Sequence, residues 1–78
     1  MSKINDFQQE SMESNRAILI NLFNEAIENK DLSLYAQATS YAEGLIDAYD
    51  AFLSNERTSI EKIIQVKTMQ FSEVLKDG

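Results

Sequence analysis

Cysteine, histidine, proline and tryptophan are all missing from this 78-residue chain, and glycine occurs only twice. Without cysteine or histidine there is no disulfide, no thiol nucleophile, no imidazole base and no familiar zinc ligand set. The two glycines, Gly44 and Gly78, lie too far apart to form a glycine-rich phosphate loop. The chain is therefore expected not to be an enzyme, and to carry neither cofactor nor metal.

Long apolar runs are missing too. The longest, Ala17 to Ile20, falls far short of the ~18 residues of a membrane span. No charged-then-apolar leader opens the chain, so the expected location is the cytoplasm, with no membrane contact. Positive charge is scarce, with seven basic against thirteen acidic side chains and a formal net charge of −6. Such a balance repels nucleic-acid phosphates and anionic membrane surfaces, which disfavours a direct nucleic-acid reader. It suits docking onto a basic protein surface, including the nucleic-acid-binding groove of another protein.

What the sequence does contain is helical periodicity, most strongly from Asp31 to Leu53. Leu34, Ala38, Tyr41, Leu45, Ala48 and Phe52 recur at alternating steps of four and three, the seam of a helix lying lengthwise on another. A second line of Tyr35, Ala42 and Tyr49 repeats every seven residues beside it. The oligomer or packing face is thus expected at Tyr35, Ala38, Tyr41, Ala42, Leu45, Tyr49 and Phe52. Small residues let a partner backbone approach while the rings fill the gaps. Gly44 falls in the outer, polar region and is read as a tolerated surface glycine.

Upstream, nothing breaks a helix from Asp6 to Asn29, where Phe7, Met12, Leu19, Phe23 and Ala26 lie near one face. Ile20 falls off that stripe and suggests a second contact surface. Asn29, Lys30 and Asp31 form the clearest break: Asp31 is a good N-cap, and Asn29 can take the left-handed conformation that ends a helix. A softer break is expected at SNERTS, residues 54–59, where Thr58 and Glu61 have capping-box spacing. The competing reading runs the central and last helices together as a rod of about 45 residues, roughly 65 Å long. The last helix, 59–76, carries Ile60, Ile63, Ile64, Val66, Phe71, Val74 and Leu75, with Met69 off the stripe.

The expected fold is therefore all-α: one domain over residues 1–78, a small antiparallel three-helix bundle with helices at about 6–29, 32–53 and 59–76. A chain this short buries only about 60% of its unfolded surface, so a homo-oligomer is expected.

Two functions fit. The first is a small acidic helical protein–protein interaction module that binds and blocks or bridges another macromolecule. Small inhibitors and adaptors of phages and other mobile elements are of this type. Its candidate contact residues are Ile20, Glu43, Asp47, Asp50 and Phe71, with Phe7 and Phe23 as further anchors. Glu56 extends the acidic strip as a mimic of phosphates. Glu43, Asp47 and Asp50 also have a spacing that could share a hard cation, but a solvated acidic face is the expected reading. The alternative is a homo-oligomer holding a small anionic ligand such as a nucleotide at subunit junctions. Tyr35, Tyr41 or Tyr49 would stack on it, and Arg16 or Arg57 would hold its charge.

Overall fold

The computed structural model describes residues 6–49 and 54–77, and these form three α-helices packed on one another. Helix α1 spans Asp6–Asn29, α2 Leu32–Tyr49 and α3 Ser54–Asp77. No strand occurs among the described residues.

The connection between α1 and α2 is built from backbone bonds. Lys30 has φ of 53°, its N–H donates to the Ile27 carbonyl at 3.3 Å, and the Asp31 N–H donates to the Ala26 carbonyl at 2.9 Å. This double closure satisfies carbonyls that the last turn of a helix leaves over. The left-handed residue is Lys30 rather than the expected Asn29, because Asn29 is still needed as the last helical residue before the turn. Asp31 then caps α2: its Oδ1 accepts from the Leu34 N–H at 3.1 Å, and its carbonyl accepts the first helical bond from Tyr35 at 3.0 Å.

SNERTS does not break the helix; it forms the opening turns of α3. Thr58 Oγ1 donates back to the Ser54 carbonyl at 3.0 Å, and Ser59 Oγ to the Asn55 carbonyl at 3.2 Å. Hydroxyls that can bond the preceding turn need no apolar stripe to sit in a helix. The expected capping box is not formed, since Thr58 lies inside α3 and Glu61 pairs with Arg57 at 3.2 Å. The continuous rod is excluded as well. Tyr35 and Phe71 stack at 4.5 Å between centroids, whereas 36 residues of unbroken helix would hold them about 54 Å apart.

The shared core consists of Leu19 and Phe23 from α1, Ala38, Ala42 and Leu45 from α2, and Ile60 from α3. Phe23, Leu19 and Ile60 are its largest fully buried side chains, each contributing roughly 1.5–3 kcal/mol of transfer free energy. Alanines on α2 give the large residues of α1 and α3 room, while Leu22, Tyr35, Tyr41, Ile46, Tyr49, Ile63 and Ile64 close the sides. Ala48, placed on the seam by its spacing, is exposed.

Two clusters tie the three helices together. At one level Phe23 meets Tyr35 at 5.8 Å with tilted rings, and Tyr35 lies flat on Phe71. At another, the Asn15 amide sits between two tyrosines, its Nδ2 donating to the Tyr49 hydroxyl at 3.0 Å and its Oδ1 accepting from the Tyr41 hydroxyl at 3.1 Å. Beside it Arg16 of α1 pairs with Glu56 of α3.

Candidate interaction surfaces

The core fixes which faces remain outward. Ala38, Ala42 and Leu45 point α2 inward, so Glu43 and Asp47 stand exposed on its outer side. Asp50 and Phe52, and the side chain of Phe7, lie outside the described residues. Ile20 is half-buried rather than free.

The packing places three of the residues suggested for partner contact inside the bundle. Phe71 is 4% exposed and stacked on Tyr35, so it cannot serve as an anchor without leaving the core. Phe23 is likewise fully buried. Glu56 does not belong to a solvated acidic strip. It is 8% exposed, and its carboxylate is committed to Arg16. Its Oε2 is buried with no hydrogen-bond partner among the described residues. Local sequence gave no sign of this pair, because its members are 40 residues apart and meet only through tertiary packing.

Charge is unevenly divided between the helices. From Asp6 to Tyr49 the sequence has eight carboxylates against two cations, Arg16 and Lys30. Within α3 it has four of each sign. The whole net charge of −6 therefore belongs to α1, α2 and their turn. Arg16 is turned inward to Glu56, which leaves Lys30 as the cation on the surface of that pair of helices.

The groups suggested for an anionic ligand are already engaged within the chain. Tyr35 bonds Thr68 Oγ1 at 2.8 Å, Tyr41 and Tyr49 bond Asn15, Arg16 pairs with Glu56, and Arg57 with Glu61. Among the described residues no three carboxylates converge so as to hold a metal ion, and no helix is long and apolar enough to cross a membrane.

The outer side of α3 differs in character. Val66 and Met69 are 50% and 66% exposed, although Val66 was expected to face the core with its isoleucine neighbours. A shallow groove runs beside them from Thr58 past Lys62 and Gln65 to Met69. The missed signal lay in the width of the stripe: Ile60, Ile63, Ile64, Lys67 and Phe71 already complete an inward face, and Val66 falls beyond its edge, next to Ile63 on the outer side. Comparison with protein-family models, with curated proteins and with solved structures finds no match to this chain.

Proposed function

We propose that this protein is a protein–protein interaction module that covers a basic surface on its partner, blocking that surface or bridging it to something else. The acidic two-helix face of α1 and α2 makes the contact, with Glu43 and Asp47 at its exposed centre. The observation that carries this reading is the segregation of charge: the net charge of −6 resides on α1, α2 and their turn, while α3 is balanced. Opposed potentials steer encounter and reject wrongly charged partners, more than they add affinity.

In this reading the helices run up, down and up. Asn15 meeting Tyr49 while Phe23 meets Tyr35 supports opposed α1 and α2, and Arg16 meeting Glu56 while Asn24 meets Lys67 supports a common direction for α1 and α3. The acidic face is then one continuous side of a rod measuring 52 × 18 × 15 Å. We place the encounter in the cytoplasm. A nucleotide at subunit junctions has less support, because its stacking rings and cations have partners inside the chain.

The test is affinity capture from extract of the source cells at low and high salt, comparing the native chain with the Glu43→Lys/Asp47→Lys variant. The expected result is a partner retained at low salt, released at high salt, and lost by roughly tenfold or more in the reversed variant at unchanged helical circular dichroism. Equal retention by the reversed variant overturns the proposal.

A further inference from the structure

Lys62, Val66, Met69 and Glu73 follow one another on α3 at steps of four, three and four, which lines them up along one face. All four are exposed, and Glu73 is 73% exposed as a side chain. The stripe has an apolar middle and ends of opposite sign. Lys62 has no ion-pair partner among the described residues. Glu73 has only the wide, exposed contact to Lys76 at 3.8 Å.

This order is self-complementary. Laid antiparallel on a second copy of itself about a two-fold axis passing between Lys67 and Thr68, the stripe sets Val66 against Met69 of the other copy. The same operation sets Lys62 against Glu73, and symmetry makes every such pair occur twice. A parallel pairing would instead put Lys62 on Lys62 and Glu73 on Glu73. We infer that α3 is the self-association surface of this protein, and that two copies pair antiparallel through Lys62, Val66, Met69 and Glu73.

The choice of a second copy as occupant rests on this charge complementarity and on the balanced charge of α3. Two acidic faces of α1 and α2 would repel one another, so association of like chains is directed to the one helix that carries no net charge. The groove from Thr58 to Met69 provides space for side chains of the neighbour. Contact over about three turns of one helix falls short of the roughly 800 Å² per partner of a standard complex. The dimer is therefore expected to dissociate on dilution.

The experiment is sedimentation velocity and light scattering over a dilution series, on the native chain, Lys62→Glu, Glu73→Lys, the double swap and Met69→Lys. The native chain is expected to approach twice the monomer mass at high concentration. Each single charge variant should weaken association by roughly tenfold or more, since like charges then face each other twice. The double swap should restore it, and Met69→Lys should abolish it, all with native helicity. Rescue by the swap is the outcome a general loss of stability cannot produce. A native chain that stays monomeric at every concentration, or a dimer indifferent to all four variants, overturns the inference. Binding of the basic partner through Glu43 and Asp47 is read separately, so failure of either proposal leaves the other standing.

Discussion

Arg16 and Glu56 pose the sharpest question at the level of single residues. Glu56 is buried, and one of its oxygens has no partner among the described residues, so Arg16 is what makes its charge tolerable there. Removing one member of such a pair is costly because the other is stranded, whereas replacing both with apolar groups is often neutral. Arg16→Ala is expected to destabilise by about 2 kcal/mol, below the value for a fully buried pair because its side chain stays 29% exposed. Arg16→Met/Glu56→Met should lie within about 1 kcal/mol of the native chain. Urea denaturation of both variants decides it; equal losses would mean that the pair contributes only packing. Sequence reading placed Glu56 in a solvated strip because polar residues surround it locally. The apolar identity of Leu19, Phe23 and Ile60 announced burial, but nothing in SNERTS announced a buried carboxylate.

Between residue and fold, the helices show which local signals were sufficient. Asp31 was readable as an N-cap, since its side chain bonds a residue three positions on. The start of α3 was not, because a polar hexapeptide with neither glycine nor proline is compatible with loop and helix alike. Its hydroxyls are accommodated by bonding back one turn, and what favours helix lies outside it, in Arg16 on another helix and in the burial of Ile60. Gly44 gives a prediction at this scale. It lies exposed inside α2, and a Cβ built on it would meet nothing within 4 Å. Gly44→Ala should therefore stabilise the chain by about 0.5–1 kcal/mol and raise Tm by about 4 °C, read from a circular dichroism melt. A fall in Tm would overturn the reading of Gly44 as an unconstrained surface position.

Taken whole, the molecule balances a small core against a large surface. Nine apolar side chains are buried among the described residues, and three of these are alanine. A domain of this length has a total stability of about 4–12 kcal/mol, while emptying a large aromatic site costs about 3–5 kcal/mol. Phe23→Ala is thus expected to remove most of the cooperative melting transition, and a native-like melt would show that Phe23 is not a centre of the core. The all-helical class was legible because a period of three to four runs through nearly every residue. Which outward residues matter was not, since Val66 and Ile63 look alike until the bundle leaves Ile63 half-buried and Val66 exposed. The tyrosines add an optical consequence. The chain has no tryptophan, and its three tyrosines all sit on α2, each with its hydroxyl bonded to another helix: Tyr35 to α3, Tyr41 and Tyr49 to α1. Near-ultraviolet absorbance is therefore a signal of α2 parting from its neighbours, to which Tyr35 contributes through its contacts with both α1 and α3, and Tyr41 and Tyr49 through theirs with α1.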